Sequence, residues 1–127
     1  MSMTIQEKYQ KLCDRLYEKT LDGSIQWATD IINEDAVFCV IGKSTIEISE
    51  GRNEQHSPII TVSIRADNGR IVESFTDEEL MDVTVTYGRF DSYWQLMGEI
   101  LVKAKRQISG VDAVIDDILE KLEDTPF

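Results

Sequence analysis

Histidine is almost absent from this chain of 127 residues, which contains only one, His56. General acid–base and nucleophilic catalysis usually depend on a His, Cys or Lys whose surroundings tune its pKa. His56 lies in a polar loop before Pro58, and no serine or cysteine signature accompanies it. We therefore interpret His56 as an exposed loop residue, predict no catalytic residue and no cofactor, and do not expect an enzyme.

Cysteine is nearly as scarce. Cys13 and Cys39 are too few and too far apart for a disulfide framework or a zinc site, both of which use close, repeated spacings. Cys13 falls on the apolar face of a predicted helix, and Cys39 lies in an apolar, strand-like run. We expect both thiols to be buried and reduced, as in a cytoplasmic protein.

Long apolar runs and glycine-rich phosphate loops are also missing. No stretch approaches the ~18 apolar residues of a membrane span, and the first residues lack the hydrophobic core of an export signal. Gly42-Lys43-Ser44 matches only the end of a P-loop motif, which favours a hairpin turn. The sequence thus predicts a cytoplasmic protein that does not enter a membrane.

Acidic residues are in excess, with 24 Asp and Glu against 13 Lys and Arg and a net charge of −11. This charge repels nucleic-acid phosphates and anionic lipid headgroups, so direct nucleic-acid and membrane partners are disfavoured. A basic protein surface remains a candidate partner, and solubility alone is the simpler explanation. The length and the apolar share of 42% predict one folded domain over residues 1–127.

Hydrophobic periodicity predicts an α+β fold. Thr4 and Glu7 form a capping box before a helical stripe, and alternation between about residues 25 and 75 predicts an antiparallel meander of about five strands. Asn68-Gly69 is a strong hairpin signal. A second capping box at Thr76 predicts a short helix, and residues 83–87 fit either an edge strand or a loop.

Two to three C-terminal helices complete the predicted fold and are expected to pack on one sheet face. Trp94 begins an apolar stripe that continues through Met97 and Leu101, so we expect it to pack on the sheet. Tyr93 then points elsewhere and becomes a candidate partner contact, because tyrosine is common at interface anchors.

The last predicted helix is strongly acidic. Residues 112–124 hold six acids and one base, and four of the acids form a stripe opposite the apolar one: Asp112, Asp116, Glu120 and Glu123. We predict this stripe as a partner-binding face, with a purely solvated helix face as the alternative. Paired carboxylates at helical spacing also occur in helical nucleotide pyrophosphatases, but residues 91–110 supply no second carboxylate helix.

One segment carries a family resemblance: Glu18-Lys19-Thr20, Gly23, Ile25 and Trp27, followed by Ile46-x-Ile48-Ser49. It resembles a group of small bacterial and phage proteins in which a helix leads into a β-meander and a final helical segment. The resemblance implies an α+β fold and transfers no activity and no functional residues.

We therefore expect a non-catalytic, acidic protein-binding module of the kind seen among small chaperones, immunity proteins and phage inhibitors. A homodimer through a strand edge or the last helix is a further expectation. Two alternatives stay open. One is a metal-dependent hydrolase or nucleotide-handling enzyme that uses the carboxylates of residues 77–82 or 112–123. The other is an acidic inhibitor that mimics DNA.

Overall fold

The computed structural model describes residues 2–29, 32–33 and 35–124. Along the chain, an N-terminal helix is followed by one five-stranded antiparallel sheet, with its strands in chain order, and then by two C-terminal helices. The predicted α+β meander is confirmed. The elements are α1 (Ile5–Leu21), β1 (Ala28–Thr29), β2 (Ala36–Ile41), β3 (Ser44–Arg52), β4 (Pro58–Arg65), β5 (Ile71–Thr76), a 3₁₀ turn (Asp77–Leu80), α2 (Tyr93–Ser109) and α3 (Val111–Asp124).

The helix α1 begins where its capping signal places it. The Thr4 hydroxyl oxygen accepts the backbone N–H of Glu7 at 3.1 Å, which satisfies one of the donors left over at a helix start. The side of α1 that faces the sheet is apolar and includes Leu16 and Tyr17, both 2% exposed. Cys13 lies on the same side and is buried, as predicted.

The sheet has one covered and one open face. A row of apolar side chains crosses four strands on the covered face: Val37, Ile48, Val62 and Phe75. All are at most 2% exposed beneath α1 and α2. The neighbouring row on the open face is polar on β3, β4 and β5, where Ser63 and Ser74 lie within hydrogen-bonding distance at 3.3 Å, and apolar at Phe38 of β2. The alternation of apolar and polar residues along β3 and β4 therefore indicates which face the helices cover.

Most of the segment that carries the resemblance forms the end of α1 and the turn between α1 and β1. Gly23 has a φ of +79°, a left-handed conformation that suits glycine at a helix exit. The indole N–H of Trp27 donates to the Thr20 hydroxyl at 3.0 Å, and the Trp27 side chain is 6% exposed. These residues hold the chain in its turn from helix to sheet, so the motif serves the fold.

The first strand is shorter than the alternation predicts and starts later. Gln107 of α2 accepts the Trp27 backbone N–H at 2.7 Å and donates to the Ile25 carbonyl at 2.9 Å. Because a side chain satisfies the backbone here, residues 25–27 form no strand. As a result β1 pairs with β2 only at Val37 and Phe38.

Residues 83–87 form a loop that packs against α1. The carboxylate of Asp14 accepts the hydroxyls of Thr86 and Tyr93, each at 2.9 Å. The ring of Tyr17 makes edge-on contacts with Tyr87 and Phe90. A network of hydroxyls and aromatic rings, rather than strand pairing, fixes this segment.

The two C-terminal helices differ in their packing. The helix α2 covers the sheet and buries six residues, as expected, whereas α3 has no buried residue and does not pack on the sheet. Gly110 lies between them with a φ of +66°, and its N–H donates to the Arg106 and Gln107 carbonyls. Within the described ranges, no helix has the length and apolar character needed to cross a membrane.

Candidate functional site

The helix α3 presents an apolar side to solvent. Its aliphatic residues recur at helical spacing and are each between 42% and 56% exposed: Val114, Ile115, Ile118, Leu119 and Leu122. Together they form what we call the α3 stripe. The spacing of three and four places them on one side of the helix. An aliphatic stripe of this length normally lies against another element, and here nothing in the described chain covers it.

Asp112, Asp116 and Glu123 lie beside one edge of this stripe, and Glu120 lies on the opposite side of the helix. Asp112 pairs with Arg106, and Asp117 pairs with Lys121. In the described part of the chain, Asp116, Glu120 and Glu123 have no hydrogen bond or ion pair. The four acids predicted as partner-binding (Asp112, Asp116, Glu120 and Glu123), here named the α3 carboxylates, are all exposed on α3. The structure thus places them together on a solvated helix.

The structure contradicts the prediction that Tyr93 is a partner contact. Tyr93 is 1% exposed and its hydroxyl is bound to Asp14, so it cannot contact a partner in the folded chain. Trp94, which we expected in the core, is 43% exposed. The buried side of α2 includes Leu96 and Ile100, which rotates the core face away from Trp94 and toward Tyr93.

A groove between α1 and β2 opens on the surface with a volume of about 810 Å³. We call it the α1–β2 groove. Its apolar walls come from Leu12 and Leu16 of α1 and from Phe38, Val40 and Ile41 of β2. Val40 lies on the open face of the sheet and is 64% exposed, and Ile41, beyond the last pair of β1 with β2 at Phe38, is 45% exposed. The apolar run of β2 therefore extends past its pairing with β1 and lines this groove.

The rim of the α1–β2 groove is basic. Arg15 and Lys19 line it, and two further cations continue the same row along α1: Lys8 and Lys11. Spacings of three and four residues place the four on one side of the helix. Arg15 pairs with Glu18 at 2.9 Å and Lys19 with Asp22 at 3.8 Å, both near the solvent. The spacing of these four cations is visible in the sequence, but we predict no binding surface there from the sequence.

A second groove, between α2 and β4, has a volume of about 740 Å³. Trp94 and Val102 form its apolar side, and Ile60 packs close to Gly98 at its base. Its charged lining is mainly acidic and includes Asp35, Glu50 and Glu99, with Arg52 as a cation. We call it the α2–β4 groove. The two grooves therefore differ in the sign of their borders.

Both thiols, and the carboxylates of Asp77 and Glu79, are buried or occupied in structural contacts, whereas His56 is exposed, as predicted. Burial raises the pKa of the Cys13 and Cys39 thiols to about 12, so neither is a thiolate near neutral pH. Glu79 caps the 3₁₀ turn by accepting the Thr76 N–H at 2.6 Å, and Asp77 accepts the Ile60 N–H at 2.8 Å. Among the described residues, no three His, Cys, Asp or Glu side chains are grouped so as to hold a metal ion.

The chain matches no protein-family model, and comparison with curated proteins and with solved structures found no match. The functional argument therefore depends on the geometry and charge of the surfaces described above, which are the α3 stripe with its carboxylates and the two grooves.

Proposed function

We propose that this protein is a non-catalytic protein-binding module that presents α3 to a protein partner. The observation that carries the proposal is the exposure of the α3 stripe, in which five aliphatic side chains are each about half exposed on one side of a helix. Scattered apolar residues are normal on a surface, whereas a contiguous apolar patch with a charged border is typical of an interaction site.

The length of α3 supports the same conclusion. It contains 14 residues, and a helix of this size is marginal in water unless it packs on something. Docking would bury the stripe and stabilise the helix together, at roughly 25 cal/mol for each Å² of apolar surface removed from water. An amphipathic helix that enters an apolar groove is a recurring mode of protein recognition.

The α3 carboxylates define the chemistry of the partner. A groove that accepts the stripe brings its borders close to Asp116 and Glu123, so cations on those borders are favourable and acids are not. Such charges raise the association rate and are screened by salt. The partner is therefore an apolar groove with a basic border, and the module acts as a modulator of that protein.

The test compares a stripe variant with a matched control in affinity capture from the native cell lysate. The stripe variant is Ile118→Gln with Leu119→Gln. The control is Asp117→Gln with Lys121→Gln, which places two glutamines on the same helix and keeps the net charge unchanged. We expect one partner to be retained by the wild type and by the control, lost with the stripe variant, and released progressively as salt rises.

Two results contradict the proposal. One is the absence of any partner whose retention depends on the stripe. The other is a partner that the stripe variant retains as well as the wild type, which would place binding on a different surface.

A further inference from the structure

We propose that the first partner of α3 is a second copy of this chain, and that α3 of each copy docks into the α1–β2 groove of the other. The inference depends on the proposed function, because it takes α3 as the docking helix and names one occupant for it. The result is a two-fold dimer in which each copy contributes one helix and one groove.

Charge complementarity is the first argument. The chain carries a net charge of −11, yet the rim of the α1–β2 groove is formed by Arg15 and Lys19. The row of cations continues with Lys8 and Lys11, which have no ion pair in the described part of the chain. Asp116 and Glu123, which lie beside the α3 stripe, likewise have none there. Arg15 and Lys19 pair with Glu18 and Asp22, but exposed pairs of this kind are weak, so the two surfaces are still opposite in sign.

Apolar complementarity is the second argument. The groove walls on α1 run from Leu12 to Lys19, a length of roughly 10 Å or two turns of helix. The α3 stripe supplies apolar side chains over a similar length, from Ile115 to Leu122. The exposed Ile41 at the end of β2 would then contact the aliphatic side chains of α3, which removes both from water.

The α2–β4 groove is a poorer site for α3. Asp35, Glu50 and Glu99 border it, so a docked α3 would bring its carboxylates close to these acids. Like charges at a contact oppose association. The charge of the groove borders therefore favours docking of α3 in the α1–β2 groove over the α2–β4 groove.

Direct pairing of α3 with α3 is also disfavoured. Residues 112–124 contain six acids and one base, so two such helices repel each other. The stripe alone also offers five side chains, whereas a stable interface takes about 20–30 residues and ~800 Å² from each partner. Reciprocal docking uses two helices and two grooves, and it therefore brings far more surface into the contact.

The position at which α3 begins is compatible with reciprocal docking. A shallow cavity between Thr20, Leu21 and Ala113 places the first turn of α3 beside the end of α1. The groove and the helix therefore lie near the same end of the molecule. Two copies related by a two-fold axis at this end present a helix and a groove to each other at the same time, and the contact closes on itself.

The test uses two charge-reversed variants of the full chain. The groove variant is Arg15→Glu with Lys19→Glu, and the helix variant is Asp116→Lys with Glu123→Lys. A control, Arg70→Glu with Lys105→Glu, reverses two exposed cations that lie outside the groove. Circular dichroism and thermal melting establish that each variant folds, and sedimentation equilibrium measures the dimer dissociation constant at low salt.

We expect the wild type and the control to dimerise with similar constants, and each variant alone to dimerise at least about tenfold more weakly. An equimolar mixture of the two variants should recover the dimer, because both contacts then join opposite charges again. Recovery by mixing also distinguishes docking between copies from docking of α3 into the groove of its own chain. If α3 docks within its own chain, the mixture stays monomeric.

Three results overturn the inference. They are a wild type that stays monomeric up to millimolar concentration, a groove variant that dimerises as well as the wild type, and a mixture that does not recover. The second result would indicate pairing through α3 alone.

The failure of this inference is separable from that of the proposed function. If the wild type is monomeric but stripe-dependent capture of another protein persists, only the self-docking is wrong. If neither dimer nor capture depends on the stripe, the proposed function is wrong as well.

Discussion

The hydroxyl of Tyr93 donates to Oδ1 of Asp14 at 2.9 Å, although 79 positions separate the two residues. Both residues are buried, and Thr86 donates to the other carboxylate oxygen at the same distance. The contact joins the start of α2 to the middle of α1. It therefore holds Tyr93 on the buried side of α2.

Removal of this hydroxyl should weaken the fold. We expect Tyr93→Phe to lower the free energy of unfolding by about 1–2 kcal/mol, because a buried carboxylate loses a donor while the ring stays in place. Urea unfolding measures the change. Thr86→Val, at an exposed position, should cost less. The double variant should cost more than the sum of the two, since both hydroxyls serve one carboxylate. Strict additivity would contradict the shared network.

Asp77 should make stability depend on pH. Burial raises the pKa of its carboxyl, and the hydrogen bond from Ile60 opposes this only in part. The folded state then holds the proton more tightly than the unfolded state. The contribution of Asp77 to stability is therefore full below the ordinary Asp pKa of about 3.9 and is lost as the pH rises through the folded value.

Asp77→Asn tests this dependence because the amide keeps an acceptor oxygen for the Ile60 N–H and cannot ionise. We expect the variant to melt at a higher temperature than the wild type at neutral pH. The difference should shrink as the pH falls toward 4, about the ordinary Asp value. Thermal melting across this range provides the measurement, and a wild type that melts higher at neutral pH would contradict the assignment.

The α3 stripe should contribute little to the stability of the single chain. For Ile118→Gln with Leu119→Gln we expect a change in unfolding free energy within about 0.5 kcal/mol, because neither side chain is buried. Leu101→Ala in α2 should cost about 3 kcal/mol, since Leu101 is 1% exposed. Denaturant unfolding at concentrations that keep the chain monomeric checks both, and a large loss from the stripe variant would indicate that α3 packs on its own chain.

Neither cysteine should react in the folded protein. Cys13 is 0% exposed and Cys39 is 2% exposed, and both thiols have a raised pKa of about 12. At about pH 8 we expect an aromatic disulfide reagent to label them at least ~100-fold more slowly in the native chain than in denaturant. Ser57→Cys, in an exposed loop, supplies a control thiol that should react at once. Fast native labelling of either natural cysteine would contradict the burial.

Sequence signals that act over a few residues predicted the structure well. The capping box at Thr76 forms in full, the Thr4 hydroxyl caps the start of α1, and Asn68-Gly69 forms the turn between β4 and β5, with a φ of +85° at the glycine. These signals succeed because the donor and the acceptor are neighbours in the chain. The acidic amphipathic helix over 111–124 was recognisable for the same reason, as its pattern lies wholly within it.

Features that depend on distant residues were not predictable. Tyr93 is buried with its hydroxyl on Asp14, a partner that no local pattern connects to α2. The α1–β2 groove is open because β1 is short, and the length of β1 is limited by Gln107, which lies 80 positions from Trp27 in the chain. Periodicity identifies the apolar side of a helix only to within about one residue, which is the difference between Tyr93 and Trp94.

A single residue, Gly110, separates α2 from α3, so two backbone angles decide where the acidic helix points. At 1.5 Å per residue, the 14 residues of α3 extend about 21 Å. A rotation of about 20° at this pivot moves the far end by roughly 7 Å, given that length. Small torsional adjustments at one glycine therefore set the reach of the whole helix.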